Sequence, residues 1–486
     1  MKRSLLTALA MASMGLATQV SAAPFAFLCN ADLNTVKVVD MASDATRAST
    51  AGQIVATIPI SGAPVAAVSD RDGVKTYVVR RDSNQVTVVD ATNYSVIGTI
   101  NTGRAPLAAV ISQDGTRLYV ANSADNTVSV IDTASYTLLN TIPAGTQPSY
   151  LRLSTDGKQL YVANRGSNNV SVIDTSAKSV SGTFTMPGSP ISIANSGDDY
   201  SVFFVADTRH VTQVDGRSSP ATVTSVNLPF DLLAMGTSAS AFALQGTYSL
   251  ANIDLYLAGA DDNIYTLTPS QMDKGTRAIQ SNSRAMALEA FGDNNNVALA
   301  NPASTDLQIL SSASLGMRKI AVGMGSNSTG DFINHPAFHI KEAHYITPEG
   351  DTKDEFIAIT VVRTGNPNSK ASVHYQTASG TAFTNVDFEE TKGLLEFDVG
   401  QQSKDINIRI LGEKSIERDE DFTLSLNSPS DGHALGTQTQ TTITLLNDDN
   451  DAKGCTVGKA GPLDPMLPVL AGLAAFGLWR RKKQSN

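Results

Sequence analysis

The side chains best placed to do chemistry are carboxylates, gathered toward the C-terminal side of the chain. Residues 338–451 hold 20 Asp and Glu against 9 Lys and Arg, a net of −11, while the whole 486-residue chain carries −10. The acidity is therefore local. An evenly acidic surface serves solubility. Here the acids cluster in the connections between apolar, alternating runs, and loop carboxylates are the hard oxygen donors that Ca²⁺ takes, roughly six to eight at a time. Other reactive types are sparse. His335, His339 and His344 fall on a linker and an incoming strand, without the matching cysteine or carboxylate spacing of a transition-metal site. Only Cys29 and Cys455 are present, so no disulfide framework is expected, and Cys29 reads as a small buried residue of a strand.

The elements that must hold these acids are strands. Phe356–Val362, Ala371–Gln376, Leu394–Val399, Ile406–Leu411, Phe422–Leu426 and Thr441–Leu445 alternate in polarity. Seven or so such strands with regular turn signals predict an immunoglobulin-like β-sandwich. The wording of the segment resembles the Calx-β family. Glu349-Gly350-Asp351 precedes a strand ending Val362-Arg363-Thr364-Gly365. Gly380-Thr381-Ala382, Asp387-Phe388, Gly393-x-Leu395-x-Phe397, Glu417-x-x-Glu420-x-Phe422 and Asn447-Asp448-Asp449 then follow in order. The resemblance implies Ca²⁺ at one end of the sandwich. Carried over by position, Glu349, Asp387, Glu417, Asp448 and Asp449 are the leading ligands, with Glu413, Glu420 and Asp451 behind them. Where the family often has two adjacent aspartates, this chain has Gly412-Glu413-Lys414. Losing a carboxylate and gaining an ammonium implies fewer ions or weaker binding.

Residues 26–325 are periodic. TYVVRRDSNQVTVVDATNYSVIGTI from Thr76, LYVANSADNTVSVIDTASYTLLNTI from Leu118 and LYVANRGSNNVSVIDTSAKSVSGTF from Leu160 align without gaps, 42 residues apart. Between them lie Gly-x-x-Pro, an apolar run and an Asp-Gly turn. Four short strands per unit, rich in Val, Ile, Tyr and Thr, predict a β-propeller, because one such unit cannot bury both of its faces. Second-strand starts near Phe27, Tyr77, Tyr119, Tyr161, Phe203, Tyr256 and Val297 predict seven blades. The first unit opens on its second strand, so a strand from around Ile320–Ile333 is expected to complete it. The Tyr-Val-Ala-Asn and Val-Ser-Val-Ile-Asp wording resembles the YVTN-type β-propeller repeat family, which implies an exported or cell-surface protein and supplies no catalytic residues. Asn122, Asn164, Asp132 and Asp174 recur at fixed repeat positions and are expected to hold turns. No catalytic or organic-cofactor residues are assigned.

The ends read as targeting segments. Lys2-Arg3, an apolar stretch from Leu5 to Leu16 and Val20-Ser21-Ala22 form a signal peptide cut after Ala22 or Ala23. Pro465–Trp479 is apolar and Arg480-Arg481-Lys482-Lys483 follows. This is a single membrane segment, shorter than an ordinary spanning helix, with its basic end in the cytoplasm. From Gly454-Cys455-Thr456 through Asp464-Pro465 to the basic tail the sequence resembles JDVT-type C-terminal sorting signals of Gram-negative bacteria, which implies intramembrane processing near Cys455.

The expectation is thus an all-β chain divided into a signal peptide (1–22), a propeller (23–333), a Calx-β domain (334–451) and a sorting signal (452–486) with membrane segment 465–479. It is read as an exported, non-enzymatic cell-surface or envelope protein. The propeller would bind a surface protein or glycan on a calcium-stiffened stalk, the C-terminal segment would meet the membrane, and nucleic acid is excluded as a partner. An exported lactonase-like hydrolase is the competing reading.

Overall fold

Alternating apolar strands and short polar turns build the whole visible architecture. The computed structural model describes residues 24–447 apart from 42–51, 196–201, 217–220, 238–254, 262, 268–276, 281–286, 292–295, 302–303, 312–316, 325, 327–331, 351–354, 366–369, 413–417 and 431–432. The signal peptide with Ala22, and residues 452–486 with Cys455 and the expected membrane helix, lie outside the described residues. Every regular element among the described residues is a β-strand, and no helix there is long and apolar enough to cross a membrane.

Between Phe25 and Asn334 the strands form consecutive four-stranded sheets. One contains Pro64–Ser69, Lys75–Arg80, Gln85–Asp90 and Val96–Asn101, antiparallel in sequence order. First strands of successive sheets pack side by side: Pro64–Ser69 on Pro106–Ile111, then Pro148–Leu153, then Ser192–Asn195. Burial follows the same direction. Inner strands are covered, whereas Val96–Asn101 and Thr137–Pro143 are largely exposed. The aromatic and valine markers at Phe27, Tyr77, Tyr119, Tyr161, Phe203, Tyr256 and Val297 each lie on the second strand of a separate sheet. Ile333–Asn334 supplies the missing strand of the first sheet, pairing Ala26 with Ile333 and Phe25 with Asn334. One apolar cluster joins Phe27 and Val38 of that sheet to Leu307 and Ile320 of the last. Lys37 Nζ adds a bond to Val322 O at 2.6 Å. Each large apolar side chain buried in such a seam contributes about 1.5–3 kcal/mol.

Side-chain oxygens satisfy the turns. Asp132 Oδ1 accepts from Ala134 N at 3.1 Å and Ser135 N at 2.9 Å, and Asp174 Oδ1 from Ser176 N at 2.9 Å and Ala177 N at 2.8 Å. Asn122 is fully buried; its Oδ1 accepts from Gly103 N at 3.1 Å, and its Nδ2 donates to Thr127 at 3.1 Å and Ser129 at 2.9 Å. A second asparagine series was not singled out from the sequence. Asn34, Asn84 and Asn126 occupy left-handed turns (φ 53°, 55° and 58°), a conformation asparagine tolerates. Their Oδ1 atoms accept from the next sheet, at Ala63 N, Ala105 N and Gln147 N, at 3.1, 2.9 and 2.9 Å. They staple neighbouring sheets together.

The sandwich follows at once. One sheet orders Ser403–Ile410, Glu355–Arg363, Ala337–Ile340 and Ala434–Leu435; the other orders His344–Pro348, Gln440–Leu446, Glu420–Asn427, Ala371–Ser379 and Lys392–Phe397. Phe338, Ile359, Phe388, Ile408, Phe422 and Ile443 form its core. Its contact with the propeller comes from a break in the repeat. In two repeats a serine, Ser112 or Ser154, caps the turn between first and second strands, and Asp114 or Asp156 closes the same turn. The corresponding positions 42 residues before Ser112 and Asp114 hold Asp70 and Asp72. Asp70 Oδ1 takes over the capping, accepting from Val74 N at 2.8 Å and Lys75 N at 3.0 Å. Asp72 is released to the sandwich, where Thr437 donates N–H to Oδ1 at 2.7 Å and its hydroxyl to Oδ2 at 3.1 Å. The Thr364 hydroxyl donates to Asp72 O, and Arg71 Nε donates to Leu435 O at 2.9 Å. Gly73 (φ 68°) passes so close that a Cβ would meet His335 O at 2.3 Å.

Two outcomes test these roles. Asn122→Ala strands the Gly103 N–H donor and removes the donor to the Thr127 and Ser129 hydroxyls, and should cost about 1–3 kcal/mol in urea unfolding. Desolvation pushes the Asp70 carboxyl from 3.8 up to about 7. Between those values the folded chain holds a proton that the unfolded chain has lost. This group's contribution therefore falls as pH rises from about 4 to about 7 and stays low above. Asp70→Asn keeps the capping oxygen and removes the charge, so it should raise Tm at pH 8 and leave it unchanged near pH 4 in pH-dependent thermal melts.

Candidate metal site at one end of the sandwich

Antiparallel order brings alternate strand ends to one end of a sandwich, and the acidic loops follow that rule. Glu349 succeeds strand His344–Pro348, and its N–H donates to Leu446 O at 3.0 Å. Gln440–Leu446 ends there too, directly before Asn447-Asp448-Asp449. Glu355 at the start of its strand pairs with Ile410 at the end of another, and Glu420 at the start of its strand pairs with Leu445. Asp387 joins the same end because its carbonyl accepts from Leu411 N at 2.9 Å and Phe388 bridges Ile410. Asn447 N donates to Asp419 Oδ1 at 3.2 Å.

Glu349 and Asp387 are 7% and 3% exposed, a degree of burial that carboxylates reach when hydrogen-bonded or bound to a cation. Asp387 Oδ2 accepts from Phe383 N at 2.6 Å, while its other carboxylate oxygen has no hydrogen-bond or ion-pair partner among the described residues. The donors known at this end are hard oxygens, which suits Ca²⁺ and not a soft metal. Glu420 is half-buried at the strand start. Glu413, Glu417, Asp448, Asp449 and Asp451 lie outside the described residues, and among the described residues no three potential metal-binding groups come together. The residues present fit Ca²⁺ as part of a larger oxygen set. Glycine is needed beside them, since a Cβ on Gly380 would meet Asp421 O at 2.4 Å.

The three histidines scatter. His335 sits under Gly73, the Cβ of His339 faces Gly436, and His344 Nε2 lies 2.7 Å from the Thr444 hydroxyl. Burial lowers the His339 pKa.

Comparison with known proteins places both halves. Residues 334–450 match the Calx-beta domain model. The Calx-beta segment is 34% identical over 112 residues to the sodium/calcium exchanger Calx of Drosophila melanogaster, covering 23% of this chain and 12% of that protein. It is also similar to the extracellular matrix organizing protein FRAS1 of Mus musculus, 30% identical over 130 residues, covering 26% of this chain and 3% of that one. The chain thus spans only a small fraction of the length of these relatives. Upstream of the Calx-beta segment, residues 104–218 match a YNCE-like beta-propeller model. A functionally unknown protein from Desulfotomaculum acetoxidans shares the fold at TM-score 0.50 and 11% identity, over 63% of this chain and 97% of that one.

With chelator present, Asp387→Ala removes the acceptor of Phe383 N and should destabilise the chain by about 1–2 kcal/mol. Asp387→Asn retains an oxygen acceptor and should lose less than half as much, both read by urea unfolding.

Proposed function

We propose that this chain is a non-enzymatic surface or envelope protein in which a seven-bladed propeller binds a surface protein or glycan and the sandwich, stiffened by Ca²⁺, is its stalk. The observation carrying this reading is the convergence of the buried Glu349 and Asp387 carboxylates at the end where the remaining acidic loops begin. Glu349, Asp387, Glu417, Asp448 and Asp449 would hold the ion, with Glu413, Glu420 and Asp451 nearby. Bound Ca²⁺ would tie together loops from both sheets. The relative in Drosophila is by name a sodium/calcium exchanger, and FRAS1 by name organises extracellular matrix. The first name agrees with a link to calcium and the second with an extracellular setting.

The sandwich stands on the propeller face carrying the Asp70–Gly73 and Gly115 turns. The asparagine-stapled turns build the opposite face, which among the described residues makes no hydrogen bond with the sandwich. It carries exposed pairs, Arg81–Asp82 at 2.7 Å, Arg104–Asp125 at 2.6 Å and Arg209–Asp231 at 2.5 Å. Charged rims of this kind favour selective, salt-sensitive recognition. The hydrolase reading draws no support from the recurring Asn and Asp residues, whose side chains close their own turns.

A ligand bound only by the folded state raises its stability. Titrating the full chain with Ca²⁺ to millimolar levels should raise Tm by several degrees in calorimetry, and Asp387→Asn should abolish the rise. A flat melting temperature in the unmutated chain would leave the sandwich a metal-free spacer.

A further inference from the structure

The loop that supplies Asp387 also does something a stalk does not need. Phe383 and Val386 are 60% and 58% exposed, on either side of a tight turn. The turn is ordered: Phe383 O accepts from Val386 N at 3.2 Å and Asp387 N at 3.0 Å, and Asn385 (φ 61°) donates to Phe388 O at 2.6 Å. Ala382 and Phe388 at its base are fully buried. The base is therefore fixed in the core while the tip holds two large apolar groups in water. Phe356, 67% exposed, is at the same end but one strand removed, across Arg409, whose carbonyl accepts from Glu389 N at 3.0 Å.

We propose that this end of the sandwich docks on an anionic phospholipid surface when calcium is bound, with Phe383 and Val386 entering the lipid; the proposal rests on the calcium reading above. Three observations converge on that occupant. The first is charge. Without an ion the acidic end repels anionic headgroups, and Ca²⁺ held by Asp387 and its neighbours would offset part of that charge and offer lipid phosphate a coordination position. The second is coupling, because Asp387 Oδ2 accepts directly from Phe383 N, so an ion on Asp387 acts on the backbone that carries the apolar tip. The third is reach. Strand Gln440–Leu446 leaves the sandwich at this end, and 19 residues separate Leu446 from Met466, where the apolar stretch begins. Extended, they span no more than about 70 Å. A membrane holding residues 465–479 is thus within reach of this end of the sandwich. Two apolar side chains bind lipid weakly alone, and a tether of this length raises their effective concentration at the surface.

The only tryptophan of the chain is Trp479, so a reporter is easily placed. Full-length protein carrying Trp479→Phe and Phe383→Trp is mixed with vesicles of phosphatidylcholine and phosphatidylserine, about three to one, with brominated acyl chains. Calcium should shift the emission to the blue and quench it by half or more, and chelator should reverse both. Val386→Trp in the same background repeats the measurement should Phe383→Trp misfold. A calcium-induced rise in Tm without quenching overturns docking and leaves the calcium site standing, whereas no rise in Tm removes both. Equal quenching in chelator overturns the calcium dependence. A blue shift without vesicles that grows with protein concentration assigns the surface to a second copy of the chain and overturns the lipid assignment.

Discussion

Tight turns expose backbone N–H groups that no strand neighbour can satisfy, and this constraint governs the molecule. Buried or half-buried donors left unmade are costly. The propeller meets the demand with short polar side chains at each repeat: aspartates at the turns leading into the outer strands, and asparagines in the turns that face the next sheet. Asn84 and Asn126 serve two purposes, since a left-handed turn favours asparagine and the same side chain then caps the neighbour's backbone. Recurrence of these residues thus records geometry.

The junction with the sandwich uses the same chemistry with one substitution. A turn needs one capping oxygen. Where Ser112 and Ser154 share that work with Asp114 and Asp156, Asp70 does it alone, and Asp72 becomes available for Thr437. A carboxylate in a serine's place is desolvated, which is why its pKa rises. The arrangement exchanges some local stability for a defined contact between two β units that would otherwise meet only through a short linker.

Much of this was legible in the sequence because its signals are local. The alternation of the strands and the Asp-Phe and Gly-Thr-Ala turns lie within windows of a few residues, and the 42-residue spacing shows when such windows are aligned with one another. The closing strand at Ile333–Asn334 was legible from what the first unit lacked. What escaped was long-range pairing. Asn84 Oδ1 meets Ala105 N, 21 residues on, and Asp72 meets Thr437, 365 residues on. Nothing in composition announces either partner. The departure from serine at Asp70 was present in the aligned repeats, but its meaning depends on a partner in another fold unit. Likewise Asp387 was readable from its motif, while the place of Glu349 depends on the parallel pairing of its strand with Gln440–Leu446, where Glu349 N donates to Leu446 O.

Strand order places acidic residues at one end of the sandwich. Glu349, Asp387 and Glu420 come from three different chain connections, so their position at that end is set by topology and not by local sequence. In general, carboxylates crowded at one end raise the energy of an ion-free state, and on the calcium reading a divalent cation would act on loops rooted in both sheets. That end is also the one from which the chain continues toward its apolar C-terminal segment, while the propeller is fixed near the opposite end through Asp72 and Arg71.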